Sequence, residues 1–344
     1  MLAFLVLLMG LAPAGVHGEE PLRLQVVGGL GGVSQYTQLE QPFWEQEIAR
    51  RSDGRIVATV RPFDGGGLRG QEMLQLMRLG VVPFGTALLA VAAGDEPELN
   101  AVDLPGLSPD IAALSRTVGL YRDHLTRVLR ERYEIELLGV YAYPAQVLFC
   151  TKAFAGLGDL AGRRVRTSSV GQSELMTALG AVPVMIPFAE MTSALRQGVA
   201  DCAITGTLSG YEIGLTEITT HAHTMALSWG LSFFGANATA WKALPADAQN
   251  IIRAGVSDLE RRIWAHAEAD TERGLACGTG KIRCEGGSGA SMTLVPTSEA
   301  DEARRRALLA TVVLPRWVER CGEACVDAWN RHLAPDLDLI AKPD

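Results

Sequence analysis

The sequence lacks the patterns that identify the common enzymes and nucleic-acid-binding proteins. It contains no GxSxG, HExxH or P-loop motif, so nothing indicates a serine hydrolase, a zinc protease or a nucleotide-phosphate site. It has no basic block, and its net charge of −8 argues against nucleic acid as a partner. A charged fraction of 20% and a hydrophobic fraction of 48% are typical of a globular protein.

Long apolar runs are also lacking. The segment "MLAFLVLLMGLAPAGVHG" (1–18) has an apolar core too short to span a bilayer, and no later run reaches eighteen apolar residues. Small residues follow the core, and Val16-His17-Gly18 fits a signal-peptidase site before Glu19. We therefore expect residues 1–18 to be a signal peptide and the protein to be exported.

Histidine is scarce, and the cysteines do not follow zinc or thioredoxin spacing. Only His221 and His223, in "TTHAHTM", lie close in sequence, and no Cys, Asp or Glu stands near them at ligand spacing, so we expect no metal and no cofactor. The six cysteines contain no CxxC.

The positions of the cysteines favour structural disulfides over free thiols in an oxidising compartment. Cys277 and Cys284 bracket a glycine-rich turn, while Cys321 and Cys325 lie four residues apart, within disulfide range on a helix. Cys150 ends the apolar strand "VLFC" and Cys202 begins "CAIT" in the same predicted sheet. Pairing of these two and a pair of buried free thiols both remain open.

Two β-α-β-α-β units follow one another along the chain. Such units imply parallel strands joined by right-handed crossovers, and open parallel sheets bind ligands at the carboxyl ends of their strands. The sequence therefore predicts two small α/β domains. The predicted strands are 23–29, 55–63, 84–90, 164–168, 182–186 and 202–205, and the predicted helices between them are 38–51, 70–79, 171–179 and 187–197.

A further helix belongs to neither unit. Residues 246–276 show helical periodicity interrupted only at Gly255, and a helix of that length would be about 45 Å long. Because this exceeds one small domain, we expect it to lie across both.

Three arginines lie at the start of the second β-α-β-α-β unit. "LAGRRVRTSS" carries Arg163, Arg164 and Arg166 directly before a polar triplet that fits a helix N-cap near Gly171. A guanidinium at a strand end beside a helix N-terminus favours an anion-binding site. The same sequence pattern also fits an arginine that lies on the surface without a binding role.

The segment "LGDLAGRRVRTS…MTALGAVPVMIPFAEMTSALRQGVADCAIT" (157–205) resembles the solute-binding proteins of tripartite ATP-independent periplasmic (TRAP) transporters, the DctP-like family. It is similar to the family series D-L-x-G-x-x-x-R, A-L-G-A-x-P, P-F-x-E and A-L-Q-x-G-V-x-D. "SDGRIVATV" is similar to another family segment, and the resemblance covers essentially the whole mature chain. It implies an α/β, two-lobed periplasmic-binding-protein fold with two parallel-sheet domains bridged by a long helix.

The resemblance implies a binding site for an organic acid. Arg166 stands at the family position whose arginine forms a two-pronged salt bridge with the substrate carboxylate, and a planar fork suits that role better than lysine does. Phe188 of "PFAE" matches an aromatic residue near the ligand, although it also fits a core position. Arg163 and Arg164 fall on variable positions and are expected at the surface.

Some positions depart from the relatives that bind sialic acid. Gln146 stands where those proteins have a second arginine, and Thr205 where they have asparagine. Trp229, at the connection between the domains, and Tyr36, after the first strand, are further candidates to face the cleft, and structural roles are equally open for both. Two aromatic residues and one cation suggest a monocarboxylate with an apolar or aromatic body.

The expected function is transport without chemistry on the ligand. The protein would be a periplasmic monomer that captures an organic acid between its lobes and delivers it to small and large TRAP membrane subunits. An ABC-type or sensory binding protein shares the fold, and a periplasmic enzyme is a further alternative. We expect domain I to comprise 19–143 plus 231–276, and domain II to comprise 144–230 plus 277–344 with C-terminal helices.

Overall fold

The computed structural model describes residues 20–65, 67–284 and 291–343, so the predicted signal peptide lies outside the described residues. Eleven strands form two mixed sheets. They are β1 (Leu22–Gly28), β2 (Ile56–Pro62), β3 (Phe84–Leu88), β4 (Ile135–Tyr141), β5 (Gln146–Cys150), β6 (Arg164–Thr167), β7 (Val182–Met185), β8 (Cys202–Gly206), β9 (His221–His223), β10 (Ser232–Asn237) and β11 (Thr293–Val295).

The helices pack on both sheets. They are α1 (Ile48–Arg51), α2 (Met73–Arg78), α3 (Leu89–Ala92), α4 (Ile111–Tyr133), α5 (Val170–Ala178), α6 (Met191–Arg196), α7 (Thr207–Glu212), α8 (Ala238–Lys242), α9 (Ala246–Gly278), α10 (Glu299–Leu308), α11 (Leu314–Cys321), α12 (Glu323–His332) and α13 (Ala334–Leu337). Five of these, α1, α2, α5, α6 and α9, lie in the five helical segments that the sequence predicts, although α5 begins one residue before its predicted start and α9 runs two residues past its predicted end. π-helical turns at Gln35–Glu40 and Phe43–Glu47 precede α1, and another at Leu309–Val313 joins α10 to α11. Short 3₁₀ turns lie at Gly70–Glu72, Pro97–Asp103, Leu157–Leu160, Phe188–Glu190 and Leu215–Glu217.

Each sheet forms the centre of one lobe. Lobe I has the strand order β2-β1-β3-β10-β4, and lobe II has the order β11-β9-β5-β8-β6-β7. The predicted β-α-β units provide the parallel pairs, in which β1 pairs with β2 and β3, and β6 pairs with β7 and β8. The carboxyl ends of these strands face the other lobe, which confirms the predicted fold class.

Two strands run against their neighbours. β5 is antiparallel to β8 and β9, and β10 is antiparallel to β3 and β4. Both begin just after the chain has passed from one lobe to the other. Because such a strand enters its sheet from the cleft side, it runs opposite to strands that end at the cleft. The sheets are therefore mixed, with their antiparallel members at the crossovers.

Local sequence explains where α5 begins and ends. Ser169 is its N-cap, with a side chain that accepts a hydrogen bond from the Gln172 N–H at 3.2 Å. Capping of this kind satisfies a backbone donor that the helix leaves free. After the helix, Gly180 adopts φ +74°, a left-handed conformation that favours glycine. The cap places the strand end of β6 directly before the helix N-terminus.

The long helix α9 bridges the lobes, as predicted. Its 33 residues would extend about 50 Å. Its first half packs Ile252, Val256 and Leu259 into the lobe I core. Farther along, the Thr207 hydroxyl of lobe II donates to the Asp270 carbonyl at 3.2 Å. One rigid element therefore contacts both lobes.

The six cysteines form three pairs at disulfide-bonding distance. Cys150 and Cys202 lie directly opposite each other on β5 and β8, with Cα atoms 4.1 Å apart. The other two pairs join Cys277 to Cys284 and Cys321 to Cys325, each with Cα atoms 5.7 Å apart. The pairings of Cys277 with Cys284 and of Cys321 with Cys325 are those favoured by the sequence. For Cys150 and Cys202, where the sequence left two alternatives open, the structure has the paired one.

The C-terminal helices contact both lobes. α12 packs against α4 of lobe I, while α11 packs against α5 of lobe II and against the turn at Pro97–Asp103. The division of the chain at residues 143/144 and 230/231, with these helices in domain II, stays a prediction. In the part of the chain that the structure describes, every helix is too short or too polar to cross a membrane.

Candidate functional site

A cavity of about 300 Å³ lies between the two sheets. Lobe I contributes the ends of β1, β2 and β3, and lobe II contributes the ends of β6, β7 and β8. The crossover segments close it from behind. The lining residues are Leu30, Phe63, Gly70, Gln71, Leu88, Ala90, Val91, Tyr143, Gln146, Arg166, Ser168, Met185, Ile186, Pro187, Phe188, Thr205, Gly206, Ser209, Gly230 and Leu231.

Arg166 is held firmly in the lobe II wall. It lies near the end of β6 and only 3% of its surface is exposed. Its Nε donates to the Ile186 carbonyl and its Nη1 to the Ile204 carbonyl, both at 2.8 Å. Two bonds to backbone oxygens fix the plane of the guanidinium, and they leave Nη2 and one Nη1 proton free to bind a ligand.

No carboxylate among the described residues pairs with Arg166. Burial alone lowers the pKa of its guanidinium to about 10, so the side chain stays charged at neutral pH. A buried charge without a counter-ion is costly, and proteins normally pair such groups. The unpaired cation facing a cavity therefore marks a place for an anion.

Neutral polar groups lie beside Arg166 on the neighbouring strands. Gln146 and Thr205 line the cavity, as the sequence predicts, at the ends of β5 and β8. The Gln146 Nε2 donates to the Pro144 carbonyl at 3.0 Å. Ser168 also lines the cavity, but its hydroxyl donates to the Gln172 amide oxygen at 3.1 Å.

Phe188 is the one predicted aromatic residue that the structure brings to the cavity. It begins the 3₁₀ turn after Pro187, is partly buried and also packs against the main core cluster. Its two expected roles, core packing and contact with the ligand, are thus compatible.

Trp229 and Tyr36 lie elsewhere, so their placement corrects the expectation that they face the cleft. Both are buried and neither lines the cavity. The Trp229 indole N–H donates to the Ser108 carbonyl at 3.0 Å, which holds the ring in the core. Tyr36 belongs to the lobe I core cluster. Both rings therefore pack in hydrophobic core clusters and not against the cavity.

Arg163 and Arg164 lie outside the cavity lining, where the sequence expected them. Arg163 donates to the Lys152, Ala153 and Asp159 carbonyls, and Arg164 pairs with Asp201 at 2.7 Å. These bonds hold the loops around β6; Arg164 is exposed and Arg163 is half-buried.

Sequence reasoning missed Tyr143 and Ser209 and most of the apolar wall. The Tyr143 hydroxyl accepts a hydrogen bond from the Leu30 N–H at 3.3 Å, which leaves its proton for another acceptor. Ser209 lies in the first turn of α7, directly after β8. Ser209 follows a predicted strand end, and this position could have identified it as a candidate site residue. The position of Tyr143 could not be predicted in this way, because it depends on where the chain crosses between the lobes.

The residues that the structure describes contain no group of three or more His, Cys, Asp or Glu side chains arranged to hold a metal. His223 is buried, and its Nε2 lies 3.5 Å from an Asp301 oxygen. His221 is partly exposed beside Thr220. Both histidines lie on β9, at the lobe II sheet.

The sequence matches a known family over residues 33–277. That family is described as bacterial extracellular solute-binding protein, family 7 (DctP). The chain belongs to this family. Its members are extracytoplasmic receptors of the TRAP type, as the resemblance in the 157–205 segment implies.

Curated relatives are distant. A solute-binding protein of Albidiferax ferrireducens is 28% identical over 177 residues, which cover 50% of this chain and 51% of that protein. The YiiZ protein of Salmonella typhimurium, described as uncharacterized, is 27% identical over 202 residues, covering 54% of this chain and 57% of that one. The solute-binding protein therefore spans about half the length of the curated relatives it matches.

Solved structures share the whole fold at low identity. DctP7, an extracytoplasmic solute receptor of Bordetella pertussis that binds pyroglutamic acid, has a TM-score of 0.80 at 21% identity, covering 90% of this chain and 99% of that one. A TRAP solute-binding protein of Desulfovibrio salexigens with bound orotic acid has a TM-score of 0.79 at 18% identity, with 90% and 97% covered. One of Rhodoferax ferrireducens with bound malonate has a TM-score of 0.76 at 20% identity, with 91% and 99% covered.

Proposed function

We propose that this solute-binding protein captures an organic acid between its two lobes and delivers it to the small and large membrane subunits of a TRAP transporter. One observation carries the proposal: Arg166 is a buried, charged and unpaired guanidinium in the wall of an interlobe cavity. A carboxylate that binds there supplies the missing counter-ion, and the fixed fork offers it two donors.

The acids bound by structural relatives support this class of ligand. The solved structures hold pyroglutamic acid, orotic acid and malonate, and others hold succinate and L-malate. Each of these compounds carries at least one carboxylate. Arg166 is the group in this chain that would bind it, with Gln146, Thr205 and Phe188 around it.

The cavity suits a protein that binds its ligand without reacting with it. Its lining has one charged side chain and no acid–base pair among the described residues, so it offers a ligand contacts but no proton relay. We therefore propose that the protein is not an enzyme. We also propose that it works in the periplasm as a monomer after removal of residues 1–18. An ABC-type or sensory role remains the alternative to be tested by its membrane partners.

The test is calorimetric titration with a panel of organic acids, followed by titration of the acid that binds best to substituted proteins. Arg166→Ala should lose about 3–5 kcal/mol of binding free energy, or roughly 100- to 5,000-fold in affinity, because the carboxylate is then buried without a partner. Arg166→Lys keeps the charge without the fork and should retain part of the binding.

Arg163→Ala and Arg164→Ala are the matched controls, because both arginines lie outside the cavity. Circular dichroism must first show that each protein is folded, since Arg166→Ala also frees two buried carbonyls. Arg166→Gln, which keeps a donor for one of them, replaces it if it does not fold. Near-normal affinity in a folded Arg166 variant would contradict the proposal, as would a panel from which no organic acid binds.

A further inference from the structure

The charges around the cavity limit how many carboxylates a ligand can carry. Arg166 is the only charged side chain among the described residues that line it. The ionisable groups that bond to the backbone at or beside the lining include the acids Glu40 and Asp103. The Glu40 Oε2 accepts a hydrogen bond from the Gly29 N–H at 2.7 Å, and an Asp103 oxygen accepts one from the Leu231 N–H at 3.2 Å. A second carboxylate on the ligand would therefore lose its hydration without meeting a cation.

Neutral hydrogen-bonding groups line the cavity on β5, on β8 and in the first turn of α7. Among the described residues, the Thr205 and Ser209 hydroxyls and the Gln146 Oε1 have no hydrogen-bond partner, although Thr205 and Ser209 are buried. Gln146 and Gly206 are opposite each other in the β5–β8 register. These groups can donate to and accept from an uncharged polar atom.

Gly206 keeps the space between these groups open. Its φ of −60° and ψ of 142° suit any residue, so the backbone does not require glycine there. A Cβ at this position would lie 3.0 Å from the Ser209 Oγ and 3.1 Å from the Gln146 Nε2. The absent side chain thus leaves a small polar cradle, which we call the Gly206 cradle.

The distance between the two binding features fits a compact ligand. Arg166 on β6 and Gln146 on β5 flank β8 on opposite sides, and two strand spacings amount to about 10 Å between the outer strands. The Arg166 Nη1 reaches the Ile204 carbonyl on β8, so the gap between the guanidinium and the cradle is shorter than this strand spacing. Apolar side chains such as Leu30, Phe63 and Leu231 surround it.

We propose that the ligand is a monocarboxylate with a compact apolar body and one uncharged hydrogen-bonding group, such as an amide, a ketone or a hydroxyl. Arg166 binds the carboxylate, and the Gly206 cradle binds the uncharged group. Dicarboxylates are disfavoured because the described residues of the lining offer their second charge no cation. This inference rests on the proposed function, since it specifies the acid that the same cavity holds.

The test compares three classes of acid of similar size by calorimetric titration of the full protein. The first class carries an uncharged polar group (pyroglutamate, tetrahydrofuran-2-carboxylate, 4-oxocyclohexanecarboxylate), the second is apolar (cyclopentanecarboxylate, cyclohexanecarboxylate) and the third is dicarboxylic (malonate, succinate, glutarate). The tightest ligand should belong to the first class and bind at least about tenfold more tightly than any dicarboxylate. A dicarboxylate as the tightest ligand would overturn the inference while leaving organic-acid capture intact. Absence of binding by all three classes would overturn both.

Two substitutions then test the cradle itself. Ser209→Ala removes a hydroxyl without adding volume, and Gly206→Ala fills the cradle. Each should weaken the tightest first-class acid by about tenfold and leave cyclopentanecarboxylate within about threefold. Gly119→Ala, on an exposed face of α4 with open space around it, is the control and should change neither. Equal losses for both acids, or no loss for either, would show that the cradle does not bind the polar group.

Discussion

Buried charges in this protein are satisfied in two different ways. Asp103 accepts hydrogen bonds from the Trp229 and Leu231 N–H groups at 2.9 and 3.2 Å, so backbone donors surround the carboxylate. Through these bonds it anchors the crossover segment whose Gly230 and Leu231 line the cavity. Arg166 instead bonds two backbone carbonyls and has further N–H donors that a ligand can use. The acid is a structural anchor, and the arginine is a binding group.

Glu40 is a second buried acid, and it makes folding stability depend on pH. It is fully buried behind Gly29, its Oε1 accepts from the Thr86 hydroxyl at 2.9 Å, and burial raises the pKa of its carboxyl from 4.5 to about 7. Between these two pH values the folded state holds more protons than the unfolded state, so rising pH lowers the free energy of unfolding.

We predict that Glu40→Gln removes this dependence. From about pH 5 to about pH 8, the wild-type protein should lose about 2–3 kcal/mol of stability through Glu40, and the variant should not. Urea denaturation at several pH values measures the difference. Glu45→Gln, on the exposed side of the same segment, is the control and should follow the wild type. Parallel pH curves for wild type and Glu40→Gln would contradict the prediction.

At the scale of elements, the long helix has glycine where another element approaches closely. Gly255 faces Phe43, whose ring would lie 2.9 Å from an added Cβ. Gly274 faces α7, where an added Cβ would lie 2.2 Å from the Leu208 nitrogen and 2.3 Å from the Thr207 carbonyl carbon. A ring can move, but the backbone at the start of α7 cannot move without shifting the end of β8.

Gly274→Ala should therefore destabilise the protein by about 3 kcal/mol, the upper end of the usual range for overpacking. Gly119→Ala is the matched control on α4, because no atom lies within 4 Å of its added Cβ. It should stabilise the protein by about 0.5–1 kcal/mol through helix propensity and the unfolded chain. Urea denaturation compares the two. A neutral Gly274→Ala would show that α9 and α7 separate easily.

The whole molecule is joined across its cleft by the crossovers, by α9, by the C-terminal helices and by a contact at the rim. There the Ser34 N–H donates to a Glu212 oxygen of α7, and the Ser34 hydroxyl donates to an Asp270 oxygen of α9, both at 3.0 Å. A ligand held by both lobes stabilises the closed arrangement over an open one.

Ligand binding should therefore reduce the radius of gyration measured by small-angle X-ray scattering. The comparison uses the protein with and without a saturating concentration of its tightest organic acid. Arg166→Ala with the same concentration of acid is the control and should keep the larger radius. If the wild-type radius does not change at saturation, capture does not involve closure of the lobes.

The sequence by itself determined the order of the elements, because that order depends on local signals. Helix ends at Gly180 and Gly198, the cap at Ser169 and the alternation in β1 act within a few residues of the chain. The same local order places Arg166 and Thr205 at the carboxyl ends of strands, and such ends face the ligand in an open parallel sheet. These two residues were therefore predictable without knowing how the lobes pack. Gln146, the first residue of β5, was a candidate only through the family resemblance.

Only the tertiary structure decided which way side chains face at the crossovers. Trp229 and Tyr36 stand near the cleft in sequence, but their rings enter the cores of the lobes, because a large buried aromatic surface stabilises more in a packed core than beside a cavity. The position of Tyr143 depends on where the chain crosses between the lobes. The Gly206 cradle depends on the register between β5 and β8, which pairs residues some sixty positions apart. Contacts of that range arise only when the sheets have formed, since no local pattern specifies them.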